Sequence, residues 1–152
     1  MNKTEIDIIY DNLVKKGKRF DSFKLDGGSK YWIKKRERFM LKHFFKGHPA
    51  KAIKRELAGI KALKRCGIPV PNVVYDDLRC IVTEDVGTSL QDIAINKRIG
   101  LAEKRKSFSS AGKIMAALHM KKYAHGGLAL RDVCWNGAAV TLLDLESFDE
   151  VI

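Results

Sequence analysis

The 152-residue chain has no cysteine pair at metal-ligand spacing, no internal repeat and no low-complexity tract. Its three cysteines, Cys66, Cys80 and Cys134, are odd in number, widely spaced and free of any CxxC or Cys/His pattern. That argues against a zinc site or a disulfide framework and predicts reduced, mostly buried thiols. No stretch approaches the roughly 20 apolar residues of a membrane-spanning helix. The opening "MNKTEIDIIYDNLVKKG" interrupts its apolar stretch with acids and lacks a small-residue cleavage site, so no secretory leader is expected. A soluble, cytoplasmic protein is the expectation, with association to a membrane surface left open. Acidic residues are also scarce: 18 Asp and Glu face 29 Lys and Arg, a formal net charge of +11.

That charge is uneven. Residues 30–65 carry 13 Lys and Arg against Glu37 and Glu56, and residues 97–125 carry eight against Glu103. Residues 66–96 and 126–152 each sum to −4. Two basic blocks thus alternate with two acidic ones. They are either solvated helix faces or a means of attracting a polyanion such as nucleotide phosphate, nucleic acid or an anionic membrane surface. The chain has the length of one domain, and 45% hydrophobic with 31% charged residues is a folded, globular composition.

Periodicity then orders the elements. "TEIDIIYDNLVKKG" places Ile6, Ile9 and Leu13 at helical spacing, with Thr4 as the expected cap and Gly17 as the stop. "RFDSFKL", "KYWIKK" and "RFMLKHF" read as three strands of an antiparallel meander, with Gly27 and Gly28 in the first turn. "KGHPAKAIKRELAGIKALKRCG" follows as a helix between Pro49 and Gly67. "IPVPNVVYDD" and "RCIVTEDVG" add two strands, completing a five-stranded antiparallel sheet with one inserted helix. "SLQDIAIN" and "LAEKRKSFSSAGKIMAALHM" are helices, the second expected to bury Phe108, Ala111, Met115 and Leu118. "VCW", an Asn136-Gly137 turn and "AVTLLDLE" close as a hairpin.

This order, with a hinge-like Glu84-Asp85-Val86-Gly87 and acids after the last strand, resembles the protein-kinase fold. In detail it is similar to the small bacterial lipopolysaccharide-core sugar kinases (heptose and Kdo kinases), and to RIO-type and aminoglycoside-phosphotransferase-like kinases. The resemblance runs over residues 18–150 and implies an α+β, two-lobe, protein-kinase-like fold. Residues 1–84 would form the sheet lobe with its N-terminal helix, 85–88 the hinge, and 89–152 a reduced, mainly helical C-lobe. It implies ATP and Mg²⁺ as cofactors. Lys42 in "FMLKHF" would neutralise the α- and β-phosphates, and Glu56, the one acid in the inserted helix, would hold that lysine. Gly27 and Gly28 occupy the place of the phosphate-covering loop without the full GxGxxG spacing, and a plain hairpin turn explains them equally well. Adenine would lie against backbone near Glu84 and Val86.

"AALHMKKYAHGGLALRDV" resembles the family's "LHxxGxxHGDLxxxNx" segment. His119 and His125 match its histidines, both read as core residues. Gly127 stands at the position of the catalytic aspartate and Asp132 at that of the metal-binding asparagine, while "LLDLE" places Asp144 as the principal metal ligand. Asp132 and Asp144 are therefore the expected metal pair. Glycine can neither orient an acceptor hydroxyl nor take its proton. Asp132 and Glu146, the latter expected on the same strand face as Asp144, are the candidate substitutes.

Three readings follow. The first is a minimal phosphotransferase acting on a small or sugar-like hydroxyl acceptor, with weakened or unusual catalysis. The second is a pseudokinase that scaffolds or regulates a partner protein. The third is a basic module for nucleic acid or anionic membrane, built on "KKRERFMLKHFFK" and "KAIKRELAGIKALKR", though no named nucleic-acid motif is present.

Overall fold

The computed structural model describes residues 1–25, 27–37 and 48–150. By its internal contacts the chain divides into two compact units, Met1–Lys54 with Asn72–Asp85, and Arg55–Pro71 with Val86–Ile152. No helix among the described residues is long and apolar enough to cross a membrane.

In the first unit, helix α1 (Lys3–Lys15) starts two residues earlier than a cap at Thr4 would place it. Asn2, not Thr4, is the cap: its Oδ1 accepts from the Glu5 N–H at 2.9 Å, and the Glu5 carboxylate accepts from the Asn2 N–H at 2.9 Å. This reciprocal box satisfies two amides that a helix start leaves open. Strands β1 (Phe20–Lys24) and β2 (Lys30–Lys35) form the expected hairpin across Gly27 and Gly28, whose φ values of +101° and +85° are ones that side chains resist. Strands β3 (Val73–Asp76) and β4 (Cys80–Glu84) complete an antiparallel sheet of order β1-β2-β4-β3. Four strands of this sheet are thus seen among the described residues. The fifth, expected at "RFMLKHF" with Lys42, lies outside them.

The register sets Ile33 opposite Val82 and Lys35 opposite Cys80. The alternation carries Ile33, Cys80 and Val82 to one face, where Ile6 and Leu13 of α1 pack on them. Arg79 secures α1 to the β3–β4 turn, donating to Asp7 at 2.7 Å and Asp77 at 2.9 Å while stacking 5.1 Å from the centre of the Tyr10 ring.

Helix α2 (Pro49–Arg65) is the inserted helix of the sequence pattern, and the division between the units falls within it. In the second unit, Ser89 caps α3 (Leu90–Ile95), accepting the Asp92 N–H at 3.1 Å. Helix α4 (Leu101–Met120) buries Ser107, Ala111 and Leu118. Phe108, expected inside, is 38% exposed, because the inward stripe runs one residue earlier, through Ser107. The Ser107 hydroxyl reaches the Lys104 carbonyl at 2.9 Å, so its burial leaves no open donor. Strands β5 (Thr88–Ser89), β7 (Val133–Trp135) and β8 (Val140–Leu142) form a three-stranded sheet, and β6 (Tyr123–Ala124) pairs with β9 (Asp149–Glu150). The β7–β8 loop is four residues, not two. Asn136 closes it, its Oδ1 accepting from the N–H groups of Ala138 and Ala139 at 2.9 and 2.8 Å. Cys66, Cys80 and Cys134 form no disulfide, and burial pushes the Cys80 thiol up to about 12.

Candidate functional site

Strand β8 ends at Leu142, two residues before the acid that the apolar pattern assigns to it. Asp144 adopts a left-handed conformation, φ 57° and ψ 61°, and a 3₁₀ turn, Leu145–Ser147, follows. A non-glycine residue held there carries strain of order 1–3 kcal/mol, which surrounding packing has to over-determine. Packing does so from two sides. Leu145 is 1% exposed, and α2 passes so close that a Cβ added to Gly59 would meet Leu145 Cβ at 3.0 Å and Phe148 Cβ at 3.1 Å. Glu56, three residues earlier and on the same helical face as Gly59, is thereby directed at the turn.

The result is a group of three carboxylates: Glu56, Asp144 and Glu146 each offer an oxygen, all within 4.8 Å of one another. Glu56 is 8% exposed and the other two are half-buried. Two unit negative charges at 4.8 Å repel by about 3 kcal/mol at an effective dielectric constant near 20, so positive charge held against the group would stabilise it. Its donors are all hard oxygens, the ligand type Mg²⁺ selects. Oxygens at ~2.1 Å from one octahedral ion lie about 3.0 to 4.2 Å apart, separations that fall within the 4.8 Å limit of this group. The residues present therefore fit a magnesium ion.

Asp144 and Glu146 meet by a route the sequence does not suggest. They do not share a strand face; the left-handed turn and the 3₁₀ turn bring them together. The resemblance assigns Glu56 only as a lysine partner, and its isolation in a basic helix is the single sequence sign that it matters.

Asp132 serves its own loop. It is 6% exposed, its Oδ2 accepts the Ala129 N–H at 2.9 Å, and Arg131 Nε lies 3.7 Å from Oδ1. Its carbonyl accepts the Leu143 N–H at 2.7 Å, tying the loop to the residue before Asp144. The three-carboxylate group does not include it.

His125 supports the same place from the other side. It is 3% exposed, and its Nε2 stands 2.6 Å from the Leu143 carbonyl. A carbonyl only accepts, so Nε2 carries a proton, and the buried Nδ1 has no hydrogen-bond partner among the described residues. His125 is thus the core histidine the sequence suggests, whereas His119, in the last turn of α4, is exposed.

Two adjacent glycines differ sharply. A side chain on Gly126, at φ +83°, would run into the Ser147 carbonyl. At Gly127 a Cβ would meet nothing nearer than Ser147 Oγ at 4.0 Å. Glycine is required at the first and merely present at the second.

The remaining expected residues are distributed between the units. Gly27, Gly28 and Glu84 belong to the first, where Glu84 accepts from Asn72 Nδ2 at 3.0 Å. Val86 opens the second unit's main segment and is half-buried. Lys42 lies outside the described residues.

A model of the family described as lipopolysaccharide kinase (Kdo/WaaP) matches residues 2–150. An uncharacterized protein of Haemophilus influenzae is 36% identical over 121 residues, a stretch covering 79% of this chain and 50% of that relative. The chain spans about half the length of the curated relative it matches.

Proposed function

The chain belongs to the lipopolysaccharide kinase (Kdo/WaaP) family, and from that premise we propose that it is an ATP- and Mg²⁺-binding phosphotransferase whose acceptor is a hydroxyl of a lipopolysaccharide-core sugar. The observation that carries the reading is the convergence of Glu56, Asp144 and Glu146 into one oxygen-donor group. A bound magnesium ion would supply charge neutralisation for transferring phosphate. Asp144 and Glu146, with Glu56 behind them, would hold it; Asp132 would keep the adjoining loop in place and stand as the alternative ligand.

The other roles rest on the family resemblance. Lys42 would neutralise phosphate charge, the Gly27-Gly28 turn would cover the phosphates, and backbone at Glu84 and Val86 would receive adenine. In the transfer the acceptor oxygen bonds to the γ-phosphorus, the bond to the bridging oxygen breaks, and the hydroxyl proton leaves. With glycine at 127, Glu146 would accept that proton only through an oxygen not committed to the metal, while Asp132 already takes the Ala129 N–H. Positioning and charge stabilisation persist without a dedicated base, so slow transfer is expected rather than none.

A second reading, a pseudokinase that binds nucleotide and regulates a partner protein, draws on Gly127. One pair of measurements separates the two. Thermal-shift titration with Mg-ATP reads binding, and phosphate transfer to lipopolysaccharide-core acceptors reads chemistry. Wild type should show both, and Asp144→Ala and Lys42→Ala should lose transfer by at least about 10²-fold. Binding without transfer to any core acceptor leaves the pseudokinase, and absence of both defeats the nucleotide-site reading.

A further inference from the structure

One face of α2 is a continuous basic stripe. At 3.6 residues per turn, Lys51, Lys54, Arg55, Ala58, Lys61, Ala62 and Arg65 fall within an arc of about 120°, opposite the buried Ile53, Glu56, Ile60 and Leu63. The five cations are all exposed. Among the described residues none of them makes an ion pair. Lys51 with Lys54 and Arg55, and Lys61 with Arg65, stand at the three- and four-residue spacings where like charges repel. The stripe runs about 21 Å along the helix, and Ala58 and Ala62 at its centre leave room for phosphates to approach.

From this we propose that the outer face of α2 docks on an anionic lipid surface, lying parallel to it without inserting. A cluster of four to eight Lys and Arg on one helical face is the charge pattern that anionic headgroups attract. The apolar face of α2 is already used in packing, so attraction is electrostatic alone. The stripe suits lipid phosphates better than nucleic acid, because it offers only ammonium, guanidinium and methyl groups. No ring is there for a base to stack on, and no amide or hydroxyl to read a base edge. The choice of a lipid surface rests on the proposed function, in which the acceptor sugar is lipid-linked. Docking would hold the protein at the surface where that acceptor is anchored.

The test is co-sedimentation of the purified chain with phosphatidylcholine vesicles, with and without a third of phosphatidylglycerol. Binding should require the anionic lipid and weaken steeply between about 50 and about 200 mM salt. At about fivefold per cation, the triple variant Lys51→Gln, Lys54→Gln, Lys61→Gln should bind about 100-fold more weakly, and the matching Lys→Arg triple variant should bind like wild type. If the Gln triple variant fails to fold, each single change is measured instead and should cost about fivefold. Equal sedimentation with pure phosphatidylcholine, a Gln variant that binds like wild type, or tighter binding to a short duplex than to anionic vesicles at equal phosphate would each overturn the proposal. Mg-ATP thermal shifts run on the same samples keep the two readings apart. Vesicle binding with no nucleotide response retains the docking face and rejects the kinase site; the reverse result rejects docking alone.

Discussion

At Gly126 and Gly127 the same residue type answers to different constraints. The Gly126 Cα lies against the Ser147 carbonyl, so Gly126→Ala forces the 3₁₀ turn away and disturbs Asp144 and Glu146 with it. At Gly127 the space is open. An aspartate there would fit without displacing backbone and would stand beside the Ser147 hydroxyl. Gly127→Asp should therefore keep the wild-type melting midpoint and raise phosphate transfer by about 10²–10⁴-fold, the usual contribution of a positioned base. Gly126→Ala should lower the midpoint and reduce transfer. Unchanged transfer in a folded Gly127→Asp would mean that proton removal does not limit the reaction; Glu146→Gln, assayed across pH, then shows whether Glu146 already does that work.

At the scale of elements, the β3–β4 turn is organised by Asp77. Burial alone would raise its carboxyl, but N–H groups of Arg79 and Cys80, the Arg79 guanidinium and the Tyr75 hydroxyl outweigh it and hold it below the ordinary 3.8. Because the folded-state value is depressed, the stabilisation is complete above the ordinary carboxylate value and is lost as pH falls through the folded one. Wild type should lose stability on acidification below about pH 4. Asp77→Asn should be less stable at neutral pH by about 1–3 kcal/mol, with a flatter acid limb in urea titrations. The sequence made most of these elements legible: α1, the β1–β2 hairpin, α2, β3, β4 and α4 all follow their apolar period. It misjudged where local geometry overrides that period. "AVTLLDLE" alternates like a strand to its end, and only the left-handed turn at Asp144 stops β8 at Leu142. The close pass of Gly59 over Leu145 joins positions 86 apart in sequence, which no spacing rule detects. In the sequence Gly59 is one small residue among the alanines of a helix, and nothing there marks the convergence of Glu56 on Asp144.

Over the whole molecule the net charge of +11 outweighs its local compensation. In the first unit, the ion pairs around Asp21, Asp85 and Arg79 mostly involve at least one well-exposed partner. Such pairs contribute roughly 0–1 kcal/mol each. The exposed cations on the outer face of α2 repel over distances comparable to the ~10 Å screening length at 0.1 M salt, and compaction brings them closer. Two opposing responses to salt are therefore in competition: screening relieves self-repulsion, and it also weakens surface pairs. With 29 Lys and Arg against 18 Asp and Glu, relief should win. The melting midpoint should rise by about 2–4 °C between about 10 and about 200 mM sodium chloride, a gain of about 1 kcal/mol for a chain of this size. Sodium sulfate at equal ionic strength separates screening from site binding. A similar rise means diffuse repulsion, whereas a larger one, abolished by the Lys51, Lys54 and Lys61 to Gln changes, places the anion on the outer face of α2. A midpoint that falls with salt would show that the Arg79 and Asp85 clusters govern stability instead, and the basic stripe would then carry no energetic cost for docking to relieve.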